Sequence, residues 1–501
     1  MSKSIMIQGT GSGVGKSIIV AALCRIFKQD GYTVAPFKSQ NMALNSGVTM
    51  DGMEMGRAQI TQAEAAGIEP LVDMNPILLK PTCDTGAQVI VCGKPIGNMQ
   101  AVEYHNYKPQ LIEIIKQCFL RLQDQYEIIV IEGAGSPAEI NLKDNDIVNM
   151  HMARVADAPV ILVVDIDKGG AFAWIVGTLE LLTEDERTRI KGIIINKFRG
   201  DKTLLESGLK YIEERYGVPT LGIIPYFHDI YIEEEDSLGL GKWAMEGKPH
   251  DIEIVVIQLP HISNFTDFDL LARETDVYLR YAKPGEHLGN PDMIILPGTK
   301  STIADMNYLH TTGCSREILS IINNQRSTVL LGICGGFQML GTNILDPDHI
   351  ESAIAATNGL GLLDITTTFS PEKLTVQIKA QVCHELLELG LFVTGYEIHM
   401  GNTTDGNGIT PLFNIIYPEN RYDGAVREDG LVMGTYIHGL FDNHGFRRTF
   451  INYLRKRKGL SCPTITKEIS RETEYDRLAK MIRENVDMER IYRIADIRKS
   501  T

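Results

Sequence analysis

No two cysteines of this chain form a C-x-x-C pair; the eight, at positions 24, 83, 92, 118, 314, 334, 383 and 462, are scattered through 501 residues. That spacing excludes a zinc ribbon and a disulfide framework, and it fits a reducing cytoplasm. Basic charge is also scarce. Lys and Arg number 49 against 64 Asp and Glu, a net charge of −15, which argues against nucleic acid as the main partner. No apolar run approaches the length of a membrane span, and Met1-Ser2-Lys3-Ser4-Ile5-Met6 turns glycine-rich before a signal peptide could form. Internal repeats and low-complexity segments are missing too. What remains is a folded cytoplasmic protein, 44% hydrophobic and 23% charged, long enough for two or three domains.

The most informative stretch is Leu331-Gly332-Ile333-Cys334-Gly335-Gly336-Phe337-Gln338-Met339-Leu340-Gly341. The apolar Ser327–Leu331 before it reads as a buried strand, and Phe337, Leu340 and Ile344 after it recur at helical spacing. Cys334 therefore lies on a sharp strand-to-helix turn flanked by glycines, the nucleophile-elbow pattern with Cys in place of Ser. A helix N-terminus lowers a thiol's pKa and holds an oxyanion. Downstream, His438 ends the apolar run from Val432, so a thiol–imidazole pair is expected. Cys334 is the nucleophile, His438 the general base and acid, and backbone N–H groups near Gly298 and Gly335 the oxyanion hole.

A second signal opens the chain. The strand Ile5-Met6-Ile7-Gln8 runs into Gly9-Thr10-Gly11-Ser12-Gly13-Val14-Gly15-Lys16-Ser17, and a helix with Ile19, Ala22, Leu23 and Ile26 on one face follows. This is a phosphate-cradling P-loop for ATP, formed by Thr10 to Ser17, with Lys16 neutralising phosphate and Ser17 holding Mg²⁺. The fit is imperfect, because Thr10 stands where the strict pattern has Gly. Glu132 ends the apolar strand from Glu127, the place where such a protein needs a second Mg²⁺ partner. Asn196-Lys197 ends another strand and is either a base-contacting pair or a plain strand-end turn. Lys38, Gln40 and Asn41 lie in or beside an amide-rich loop and are candidate substrate contacts; an exposed lysine fits Lys38 equally well. The helix around Glu54, Arg57, Gln59, Gln62 and Glu64 reads as a solvated face.

Strands alternate with helices to about residue 225, and a second alternation starts at Ile252. Two doubly wound α/β domains are therefore expected: residues 1–232 as the ATP-dependent domain, 233–250 as an acidic linker, and 251–455 as the second domain. A charged helical tail over 456–501, with Leu478, Met481, Ile482 and Met488 on one stripe, is expected to pack on the second domain.

The variant P-loop resembles the dethiobiotin synthetase and MinD-like branch of P-loop ATPases. The Cys334–His438 half resembles the class I glutamine amidotransferases, in which glutamine forms a thioester and ammonia passes internally to a synthetase site. Typical members carry Glu two residues after the His, where this chain has Leu440. The resemblance is thus to the cobalamin-pathway branch that lacks it, with Glu397 or Asp442 left to orient His438. Over its whole length the chain is similar to the cobyric acid synthase family. Pro36-Phe37-Lys38-Ser39-Gln40-Asn41-Met42-Ala43-Leu44-Asn45-Ser46, Glu132-Gly133-Ala134-Gly135-Ser136-Pro137-Ala138-Glu139, Pro297-Gly298-Thr299-Lys300 and Tyr396-Glu397-Ile398-His399-Met400-Gly401 carry the likeness. That resemblance implies ATP, Mg²⁺ and glutamine-dependent amidation of the b, d, e and g carboxylates of adenosylcobyrinic acid a,c-diamide. The nearest rival is the a,c-diamide synthase family, with the same two-domain plan. A rival of another class is a MinD-like regulatory ATPase with an inactive appendage, against which Gly11 stands where that branch has its signature lysine.

Overall fold

The computed structural model describes residues 2–83, 85–233, 251–324, 327–463 and 470–498. The chain divides into two compact units, Met1–Ala43 with Glu54–Glu235 and Ser470–Thr501, and Leu44–Met53 with Asp236–Ile469.

In the first unit, β-branched runs such as Ile128–Glu132 and Val160–Asp165 are buried along their whole length. Strands of that kind suit the interior of a parallel sheet covered on both faces. The sheet has six strands, beginning in spatial order at Thr220, Ile190, Val160, Lys3, Ile128 and Val34. Every pairing is parallel, with Met6 beside Val160 and Lys3 beside Ile128. The strand Lys3–Gly9 lies where the winding reverses, so the loop after it opens into the crevice at the carboxyl ends. A separate four-stranded sheet, Gln40–Met42 with Ile77–Cys83, Gly86–Val91 and Lys94–Gln100, was not expected from the sequence.

Two expectations for this unit need correction. The helix Arg57–Ala66 begins after Glu54, which sits in a short strand, and it is buried along nearly its whole length. Its amide side chains face the interior, not solvent. The C-terminal helix Arg471–Asn485 packs on this unit rather than on the second. Tyr475, Leu478 and Ile482 share a core with Ile19, Leu23 and Ile26 of the helix Lys16–Gln29, and Arg25 pairs with Glu472 and Asp476 at 2.7 Å each. The reason lies in that first helix, which is apolar over residues 18–27 except for Arg25 and needs cover on its outer side. Of the expected linker, only Glu233 falls within the described residues; it is buried against Arg57 at 2.6 Å.

The second unit holds a seven-stranded sheet whose parallel part runs in the order Val277, Ile252, Met293, Val329, Val432, with two short antiparallel strands beyond. A long antiparallel hairpin, Ile365–Val382 with Phe392–Asp405, forms a second layer that the doubly wound expectation did not contain. The helix after Cys334 is only Gly335–Leu340, and Ile344 lies in a strand instead of continuing it. Among the described residues no helix is long and apolar enough to cross a membrane.

Candidate active sites

The first unit gathers its charge around the carboxyl ends of the strands Lys3–Gly9 and Ile128–Glu132. Lys16 Nζ donates to the carbonyls of Gly11 at 2.9 Å and Gly135 at 3.2 Å. Glu132 is the hub. Its Oε1 accepts from Ser17 Oγ at 2.8 Å and from Lys38 Nζ at 2.9 Å, and its Oε2 accepts from Gln62 Nε2 at 2.5 Å. Burial alone would raise the Glu132 pKa, but the Lys38 charge and these hydrogen bonds outweigh it and hold the carboxylate ionised.

Lys38 is therefore buried and ion-paired, not a solvated surface lysine. Gln62 is the residue the sequence reading missed, because it lies on the helix taken for a solvated face. Asn41 Nδ2 donates to Gln59 Oε1 at 3.1 Å, and Gln40 Oε1 accepts from Tyr104 at 2.7 Å. Asn196 turns to the loop itself: its amide donates to the Val14 carbonyl at 2.8 Å, while Lys197 Nζ donates to the Gly13 carbonyl at 2.7 Å. Gly15 adopts φ +101, and a Cβ there would stand 2.2 Å from the Asn196 amide nitrogen. The pair thus braces the loop over Gly13, Val14 and Gly15. Thr10, Gly11 and Ser12 complete its turn, with Thr10 N donating to Val163 at 2.9 Å.

A carboxylate and a hydroxyl 2.8 Å apart beside a P-loop are oxygen donors of the kind Mg²⁺ takes, since that ion keeps water and phosphate for its remaining positions. Among the described residues no group of three or more His, Cys, Asp or Glu could hold a metal.

In the second unit Cys334 sits between the strand Val329–Ile333 and its short helix, at φ 51 and ψ −109. A non-glycine residue held there is strained, by about 1–3 kcal/mol. The turn is tight enough that a Cβ on Gly336 would come within 1.9 Å of the Leu296 carbonyl oxygen. His438 follows the strand Val432–Thr435 and is buried, and its side chain hydrogen-bonds Cys334. Its Nδ1 meets Asp267 Oδ2 at 2.7 Å, and Asp267 Oδ1 accepts from Gly439 N at 2.9 Å. Burial lowers the imidazole pKa, but the Asp267 charge and hydrogen bond, with the Cys334 contact, raise it to about 10. His438 therefore holds a proton at neutral pH.

Neither proposed orienting residue fills that place. Glu397 pairs with Arg421, and it is Asp267 that holds His438. Asp267 lies on the turn Phe265–Phe268, 171 residues before the histidine, and no spacing rule links the two. The turn is itself propped by the segment at the end of the 36–46 motif: Asn45 Oδ1 accepts from Phe265 N at 3.2 Å, and Ser46 N donates to Asn264 Oδ1 at 3.0 Å. Gly298 borders the imidazole, where an added Cβ would be 3.0 Å from His438 Cε1, and Gly335 abuts the Thr299 backbone. Both expected oxyanion glycines thus flank the Cys334–His438 pair.

Comparison with known proteins agrees with both halves. Residues 5–238 match the CobQ/CobB/MinD/ParA nucleotide binding domain, and residues 253–446 match the CobB/CobQ-like glutamine amidotransferase domain. A cobyric acid synthase of Alkaliphilus metalliredigens is 53% identical over 98% of this chain and 99% of its own length. One from Yersinia enterocolitica is 51% identical over 99% of this chain and 98% of its own, and one from Clostridium botulinum 52% over 98% and 99%. With a nucleotide-binding unit, a glutamine amidotransferase unit and full-length likeness in both, the chain belongs to the cobyric acid synthase family.

Proposed function

We propose that this chain amidates the b, d, e and g carboxylates of adenosylcobyrinic acid a,c-diamide, using ATP and ammonia taken from glutamine, in the cytoplasm. The observation that carries the reading is that one chain holds both a Cys334–His438–Asp267 chain, in its second unit, and a Lys16–Ser17–Glu132–Lys38 constellation, in its first. No nucleic acid or membrane is required as a partner.

In the glutaminase half, Asp267 fixes the imidazole so that Nδ1 faces the carboxylate and Nε2 is the atom that exchanges a proton with Cys334. With the proton of the pair already on His438, the Cys334 sulfur attacks the glutamine carboxamide, and N–H groups at Gly298 and Gly335 receive the oxyanion. The imidazolium then returns the proton to the departing nitrogen, which leaves as ammonia. Water, deprotonated by the neutral imidazole, cleaves the thioester to glutamate.

In the ATP half the obstacle is the leaving group. A carboxylate cannot expel oxide, so the γ-phosphoryl group of ATP is transferred to it, and ammonia displaces phosphate from the acyl phosphate. Lys16 and the loop N–H groups stabilise charge on the moving phosphoryl group, and Lys38 is placed to hold the incoming carboxylate. Mg²⁺, bound by Ser17 and Glu132, would supply further charge neutralisation at the phosphates. Gln40 and Asn41 are the further candidate contacts to the corrinoid.

Mass spectrometry of the corrinoid after incubation with ATP, Mg²⁺ and glutamine tests the reading. Four successive conversions of carboxylate to carboxamide are expected from the a,c-diamide. Conversion of cobyrinic acid only as far as the diamide would contradict it and favour the neighbouring diamide synthases.

A further inference from the structure

The strand Phe392–Asp405 carries two side chains that the chemistry above leaves unused. Glu397 and His399 flank Ile398, so both project from one face of the strand. Each ends in a buried acceptor with no hydrogen-bond partner among the described residues, Oε1 of Glu397 and Nε2 of His399. Their remaining polar atoms are engaged: Arg421 holds Glu397 Oε2, and His399 Nδ1 meets the Gly401 carbonyl at 2.9 Å. A carbonyl can only accept, so Nδ1 carries the hydrogen and Nε2 presents a bare lone pair. The His399 ring is fixed by stacking on Tyr436, at 3.8 Å between centroids.

These acceptors lie beside the nucleophile. Between them in sequence, the Ile398 carbonyl accepts from Cys334 Sγ at 3.5 Å. Charge points the same way. Glu397 lies near both Asp423 and Arg421, two carboxylates against one guanidinium, while His438 is balanced by Asp267. Burial, helped by Asp423, pushes the Glu397 carboxyl up to about 7, as expected of a group short of positive charge. Burial pushes the His399 imidazole down to about 4, so its Nε2 stays an acceptor at neutral pH.

The missing element is a cationic group bearing several N–H donors, held a short alkyl chain away from the carbon that Cys334 attacks. Glutamine carries that group. We propose that Glu397 Oε1 and His399 Nε2 form the subsite for the α-ammonium of glutamine, so that this strand selects the substrate as well as bounding the thiol. The inference rests on the reading of Cys334 as the glutaminase nucleophile.

The test follows alkylation of Cys334 by iodoacetamide in the full chain. The protectants are glutamine or glutaramate, the same amide without the amino group, and kcat and KM for glutamine are measured alongside. In the wild type, glutamine should protect about tenfold better than glutaramate, the ratio that one lost charged contact gives. Glu397→Gln should raise KM and the protecting concentration of glutamine about tenfold or more, with kcat and the unprotected alkylation rate within about threefold. His399→Ala should act in the same direction and less strongly, and it carries the test alone if Glu397→Gln does not fold. Equal protection by the two amides in the wild type, or an unchanged glutamine KM in both variants, would overturn the subsite. So would a fall in kcat and alkylation rate together, which would mark the pair as structural. Wild-type protein that neither hydrolyses glutamine nor is protected by it would instead remove the nucleophile reading, and the subsite with it.

Discussion

The two sites differ in how each handles charge. In the first unit four cationic or amide donors converge on backbone carbonyls and two carboxylates: Lys16 on Gly11, Lys197 on Gly13 and Asp165, and Lys38 and Gln62 on Glu132. On the proposed reading such a site receives phosphate and carboxylate. In the second unit a single thiol stands on a left-handed turn at φ 51, and its one basic partner is tuned by a buried carboxylate. There the structure generates a nucleophile instead of receiving an anion. The comparison shows why one chain needs two constellations: activating an acid and releasing ammonia demand opposite electrostatics.

Lys16→Ala should have the largest effect on the charge-receiving side. Removing a contact realised during phosphoryl transfer costs about a hundredfold or more in rate, and amidation should fall with glutamine and ammonia alike. Glutaminase turnover in the same variant should persist. Near-normal ammonia-dependent amidation would break the comparison by showing that this loop is not the phosphate site.

Asp267→Asn sharpens the other side. It should cost about a hundredfold in glutamine hydrolysis, within the range that general acid–base catalysis contributes, and leave ammonia-dependent amidation intact. The sign of the pH effect is fixed. Asp267 helps raise the His438 pKa to about 10 from its ordinary 6.5, so its removal should move the alkaline limb of glutaminase kcat/KM to lower pH. A limb that stays in place would show that Asp267 does not hold the imidazolium.

Smallest for catalysis, but not for stability, is Leu478→Ala. This side chain is fully buried on the first unit, and a Leu→Ala change in a core costs about 2–5 kcal/mol. Denaturant unfolding should show an earlier transition for the P-loop unit, with glutaminase kcat unchanged at low denaturant. An unaltered first-unit transition would contradict the placement of the C-terminal helix.

These variants also trace what a single sequence could reveal. Cys334, Lys16, Ser17 and Glu132 were legible because each sits at a fixed offset within a strand–turn–helix or strand-end motif. Gln62 was not, because an amide on a short helix looks the same whether it faces water or a buried carboxylate. Asp267 was not, because its link to His438 is made by tertiary contact alone. The terminal helix showed its apolar stripe but not its partner. The clue lay at the other end of the chain, in a helix with too little polar surface to lie open. Part of the antiparallel layers went unforeseen because strands such as Lys94–Gln100 are largely exposed and lack the apolar runs that marked the parallel sheets.

The central claim is that ammonia is made at Cys334 and consumed at the P-loop site. It is tested most directly by Cys334→Ala supplied with ATP, Mg²⁺ and the a,c-diamide. Corrinoid amidation is then compared by mass spectrometry with glutamine and with ammonium chloride at alkaline pH, where free ammonia is abundant. The account predicts no amidation from glutamine and near-wild-type amidation from ammonia. A folded variant that ammonia fails to rescue, or one that still uses glutamine, would contradict it.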